Sequence, residues 1–174
     1  MVADPKGELK KLFSDPHSEE RHRRYQEMAA LEREEMKAYI KDRKAEFLSR
    51  YGAILSDQRL DLVVEKVITE ELDVNSAFEE LIATYYQIRG FEKSFMERHG
   101  IEITLDEEAM DLLLTWVVKE DKDITETLST LDSLFEPALQ LIRDKTGVSN
   151  FSISKEGVDN PEDYFNKLVT EVYA

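Results

Sequence analysis

Few residues in this chain are equipped for chemistry. His17, His22 and His99 are the only histidines among 174 residues, and cysteine is absent. Thiolate nucleophiles, disulfides and cysteine-ligated zinc or iron–sulfur sites are therefore excluded. Glu19 and His22 stand at E-x-x-H spacing, which in a di-iron bundle would bring both side chains to one metal. Such a bundle needs a second copy of the motif and further glutamates from facing helices, and no second copy occurs. The pair reads as part of a solvated helix face, and no metal site is assigned. His17 falls in a proline-containing loop. His99 precedes Gly100, where a polar ring suits the last carbonyls of a helix.

Adjacent acids such as Glu34-Glu35, Glu79-Glu80 and Glu107-Glu108 are abundant. In a helix-rich acidic chain they serve as solvated faces and as first-turn partners of the helix dipole. No G-x-x-x-x-G-K-[ST] loop is present to cradle a phosphate, and G-x-S-x-G and H-E-x-x-H are also missing. No catalytic residue and no cofactor are assigned, and the chain alone is not expected to bind or hydrolyse ATP. Tyr85, Tyr86, Phe91, Phe95 and Trp116 sit at helical spacing beside aliphatic residues and read as core, not as a ligand box. The run Arg21–Arg24 is flanked by Glu19, Glu20 and Glu27 and reads as a solvated face.

The elements that carry these residues are mostly helical. Charged residues make up 35% of the chain, with only 6 Gly and 4 Pro, a composition of helix-rich proteins. Residues 1–52 hold 12 Lys and Arg against 11 Asp and Glu, net +1, whereas residues 53–174 hold 11 against 27, net −16. The acidic part repels phosphate backbones, so nucleic-acid binding is disfavoured. No apolar run is long enough to span a bilayer, and MVADPKGELKK lacks the apolar core of a signal peptide. A cytoplasmic location without membrane contact is expected.

Residues 1–16 read as an arm with one apolar cluster, Leu9, Leu12 and Phe13. Ser18 caps a helix of about 30 residues, ended by Gly52, whose apolar stripe includes Tyr25, Met28, Met36, Tyr39, Ile40 and Phe47. A second helix follows, capped by Ser56 or Asp57 and carrying Leu60, Val63, Val64, Val67 and Leu72. The two are expected to form a hairpin. The next helix, with Phe78, Leu81, Tyr85, Ile88 and Phe91, stops at Gly100. In Ile101, Ile103 and Leu105 apolar residues alternate with Glu102 and Thr104, and Phe151 and Ile153 alternate with Ser152 and Ser154, the period of half-buried strands. Each strand is too short to stand alone, so the two are expected to pair beneath the intervening helices. Those helices are Asp106–Lys119, with Thr104 and Glu107 as a capping box, and Ile124–Lys145, capped by Asp123 and kinked or broken near Ser133 by Pro137. Asn160-Pro161 opens a last helix, asparagine as cap and proline as first residue.

This order of strand, helix, helix and strand, with the run FEKSFMERHGIEITLDEEAMDLLL, resembles the small C-terminal lid domain of Clp-type AAA+ ATPases, nearest to the ClpX unfoldase. The resemblance covers roughly Val74 to Val158. Its most specific part is HGIEITLDEEAM, His99 to Met110, which corresponds to a family pattern of the type GVELEFTDDAL. The lid helix of that family begins with a Gly-Ala-Arg signature whose arginine senses nucleotide. The corresponding region here, EDKDITETLST from Glu120 to Thr130, has no arginine.

The expected architecture is mostly α with a small two- or three-stranded sheet (α+β). Residues 1–73 are expected to form an arm and long helical hairpin packed on a lid-like α/β unit, and residues 74–174 that unit and its C-terminal helix. The resemblance implies the lid region of a ClpX-like ATPase, serving inter-module packing and partner contact. Nucleotide would then be met only through an attached AAA+ large domain. The alternative is a stand-alone helical interaction module or adaptor. In either case a protein partner or self-association is expected, with Met36, Tyr39, Ile40 and Phe47 as the candidate interaction face.

Overall fold

The computed structural model describes residues 18–51 and 56–174. Its elements are α1 (Ser18–Asp42), α2 (Lys44–Tyr51), α3 (Asp57–Glu70), α4 (Val74–His99), β1 (Glu102–Leu105), α5 (Glu107–Lys119), α6 (Ile124–Thr146), β2 (Asn150–Ile153), α7 (Lys155–Asp159) and α8 (Pro161–Tyr173). The chain is thus mostly α with one small sheet, in which β1 and β2 run parallel, Glu102 opposite Asn150 through Leu105 opposite Ile153. The long crossover through α5 and α6 is what a parallel pair requires. The chain divides into two compact units, residues 1–47 and 48–174.

In the larger unit the helix boundaries are written in side-chain chemistry. The Ser56 side chain accepts from the Arg59 N–H, Asp73 from Ser76 at 2.7 Å, Asp106 from Ala109 at 2.8 Å and Asp123 from Glu126 at 3.0 Å. Each satisfies an amide that the helix start leaves open. At the other ends of α4 and α6, Gly100 and Gly147 take φ of 68° and 76° and donate to the carbonyls of Met96 and Arg143. These are left-handed positions that glycine occupies without penalty from a Cβ.

The apolar faces so aligned meet in one core. Phe78 and Phe95 from α4, Ile103 and Leu105 from β1, Met110, Leu113 and Leu114 from α5 and Phe135 from α6 are almost completely buried. Full burial of one such side chain is worth about 1.5–3 kcal/mol. The C-terminal α8 closes the core by setting Phe165 against Phe135, ring centroids 5.1 Å apart. Helix α3 packs on α4 and α5 within this unit.

Three local expectations need correction. The long N-terminal helix is interrupted at Arg43, where no glycine or proline announces a break. Gly52, its expected stop, lies outside the described residues. Thr104 does not cap α5, because its backbone belongs to β1 and the cap is Asp106. Pro137 does not break α6, which continues through it to Thr146. Asn160 and Pro161 do stand at the cap and first positions of α8, although the Asn160 amide donates to the Asp163 carboxylate at 3.0 Å and its side chain makes no bond to a helix-start N–H.

Candidate functional site

The expected interaction face resolves unevenly. Ile40 is buried, 1% exposed, and Met36 is half-buried. Tyr39 is exposed beneath the Arg43 guanidinium, which stands 4.4 Å from the ring centroid. The side chain of Phe47 lies outside the described residues. The most exposed large apolar side chains described on α1 are Tyr25, Met28 and Leu31, 73%, 64% and 62% exposed. Sequence reading placed Tyr25 and Met28 on the stripe of a hairpin but did not single them out as a face.

The remaining candidates take ordinary places. His17 lies outside the described residues. The rings of His22 and the amide of Gln26 approach to 3.3 Å. His99 lies edge-on to Phe95 and 3.1 Å from an Asp132 carboxylate oxygen, while its carbonyl accepts from Arg143 at 3.0 Å. Phe91 and Phe95 are core, but Tyr86 is 59% exposed. Among the described residues no group of three or more His, Asp or Glu side chains is arranged to hold a metal ion. No helix there is long and apolar enough to cross a membrane.

Sequence reading missed a polar cluster between α3, α4 and α5. Arg59, 3% exposed, donates to Asp111 at 2.7 Å and to Glu107, with Tyr85 beneath its guanidinium at 5.1 Å. Burial opposes its charge, but the bonds to Asp111 and Glu107 outweigh that and hold its pKa above the usual arginine value. Arg89 joins the cluster by donating to the other Glu107 oxygen at 2.9 Å. Lys66 is similarly buried at 6% exposure, with Glu70 at 3.1 Å and Glu80 at 2.9 Å, and its pKa is raised by those carboxylates against the effect of burial. A lone Arg or Lys in sequence carries no signal of burial, which is why these escaped notice.

The cluster also secures the sheet edge. In a parallel pair alternate residues point their backbone groups away from the partner strand, and on β1 Leu105 is one of them. Its carbonyl accepts from Arg89 at 3.1 Å, and its N–H is met by the Glu92 carboxylate. Burial raises the Glu92 pKa above the usual carboxylate range, opposed by its bond from Arg89 at 2.5 Å. These groups clamp α4 to the strand, and the acid of the cluster that meets solvent, Glu107, is held by both Arg59 and Arg89.

The turn from α5 into α6 borders a groove of about 560 Å³, lined in part by Trp116, Lys122, Asp123, Thr127, Leu134 and Val158. The Lys122 ammonium stands 4.0 Å over the Trp116 ring, a cation–π contact worth about 0.5–1 kcal/mol where exposed. Within EDKDITETLST the one cation is Lys122, so no arginine faces this groove from the start of α6. Comparison of the chain with known protein families, with curated proteins and with solved structures finds no match to any of them.

Proposed function

We propose that this chain is a non-catalytic contact module, its residues 74–158 acting as the lid region of a ClpX-like AAA+ ATPase. The observation that carries the reading is the order of elements: α4 runs into β1, α5 and α6 follow, and β2 returns beside β1. That order agrees with the resemblance of HGIEITLDEEAM to the family pattern. The packing of the unit supports the same role, since the Arg59–Glu107–Arg89 cluster ties α3, α4 and α5 together. Without the lid arginine, its contribution would be packing between modules, with nucleotide bound by an attached large domain.

The test is to add the purified chain to the nucleotide-binding large domain of a ClpX-like ATPase stripped of its own lid. Association at tens of micromolar and a changed ATPase rate are expected, and no association overturns the reading. Calorimetric binding of ATP-Mg to the chain alone at micromolar affinity also counts against it.

A second reading, a stand-alone helical interaction module, is favoured by one observation: the exposed Tyr25, Met28 and Leu31 of α1 fall outside the lid-like segment. Deleting residues 1–47 separates the two. Binding to the large domain survives the deletion under the first reading, and all partner binding is lost under the second.

A further inference from the structure

We propose that α1 pairs antiparallel with the α1 of a second copy of this chain, with Met28 at the centre of the contact. This goes beyond the lid-like reading and does not depend on it. With about 100° between successive residues, Tyr25, Met28 and Leu31 fall within about a third of the helix circumference. The same arc carries Arg21 and Arg24 towards one end and Glu32 and Glu35 towards the other, all exposed. The face is self-complementary when reversed about Met28. Arg21 then meets Glu35, Arg24 meets Glu32, Tyr25 meets Leu31, and Met28 meets its own copy. A parallel pair would instead set Arg21 against Arg21 and Glu35 against Glu35.

Two further observations point to the same occupant. Arg21, Arg23 and Arg24 lie in the first two turns of α1, where the helix dipole disfavours cations. Within the helix Arg24 has only a 3.5 Å contact to Glu20, both side chains well exposed, so its charge is open to carboxylates from a partner. Residues 53–174 carry net −16 and repel their own copies, whereas residues 1–52 carry +1, so approach of two chains is least opposed through α1. The contact from Arg21 to Glu35 spans about 21 Å of helix, so the association expected is weak.

Sedimentation of the full chain tests this. The average mass is expected to climb towards twice that of the chain across tens to hundreds of micromolar. Arg21→Glu with Arg24→Glu replaces four attractions by four repulsions and should weaken association at least about tenfold. Adding Glu32→Arg and Glu35→Arg restores complementarity and should restore the mass. Because the chain has no cysteine, orientation can be read from a mixture of Arg21→Cys and Glu35→Cys chains treated with a short bifunctional maleimide. The cross-link between the two different variants is expected to dominate, and this arm decides orientation even if the charge variants lose helicity. A parent that stays monomeric at hundreds of micromolar, a folded four-residue variant that stays monomeric, or preferred cross-linking of Arg21→Cys to itself would overturn the proposal.

Discussion

Helices α1 and α4 have nearly the same length, 25 and 26 residues, but they are stabilised in different ways. Helix α4 begins on an Asp73 cap, ends on Gly100 and buries Ala77, Phe78, Leu81, Ile88, Phe91 and Phe95. Its conformation is underwritten by tertiary burial, the usual source of helix stability in folded proteins. Helix α1 exposes Tyr25, Met28 and Leu31 and carries weak local pairs such as Arg24–Glu20 at 3.5 Å and Lys37–Glu34 at 3.8 Å, each worth about 0.2–0.5 kcal/mol. Length and charge density alone do not tell a self-sufficient helix from one whose apolar face awaits a partner. What differs between the two is how far the apolar face is exposed.

The sharpest way to separate the two is truncation in α4. Phe95→Ala should destabilise the larger unit by about 3–5 kcal/mol, the cost of a large core cavity, read as a shift in urea midpoint. Met28→Ala in α1 should leave that midpoint within about 0.5 kcal/mol, as for other surface changes. Next in size is Arg59→Met, which leaves Asp111 without its 2.7 Å donor and should cost about 2–3 kcal/mol. Asp111→Leu added to it should recover part of the loss, since both charges are then gone.

How far these contrasts could be read in sequence depends on the kind of signal. The pairing of Ile101–Leu105 with Asn150–Ser154 was legible because alternation and shortness together demand a partner strand, and Glu102–Leu105 pairs with Asn150–Ile153. Asp123 was legible because a cap needs only local spacing. Thr104 misled because its spacing to Glu107 fits a capping box, but the ladder claims its backbone and Asp106 accepts from Ala109 in its place. Arg59 and Lys66 were illegible because their burial is set by carboxylates distant in sequence or on another helix. On α1 the pattern showed a stripe but not which part is covered: Ile40 is buried and Tyr25 is open.

Smaller effects sharpen the local side of the comparison. Asp106→Ala should cost about 1 kcal/mol through loss of the α5 cap, whereas Thr104→Ala, at an exposed strand position, should cost less. Thermal melts of the two variants check the assignment. The smallest effect is one of pH. Glu92 is held above the usual carboxylate range by burial, opposed by Arg89 and assisted by repulsion from Glu107. The folded chain therefore binds this proton more tightly than the unfolded one. The resulting stability is full below the ordinary glutamate pKa of about 4.3 and is lost as pH rises through the raised value. Glu92→Gln removes that loss, so stability of the variant relative to the parent should improve as pH rises through this window, as urea titrations at a series of pH values would show.

Hydrogen exchange of the full chain at two concentrations, one well below and one well above tens of micromolar, tests the central contrast most directly. Peptides from α4 through β2 should exchange slowly and equally at both, because their protection comes from the chain's own core. Peptides spanning Arg21 to Glu35 should exchange quickly in dilute solution and gain protection in concentrated solution as the second copy covers them. Equal, slow exchange of α1 at both concentrations would contradict the account, since α1 would then be as self-sufficient as α4.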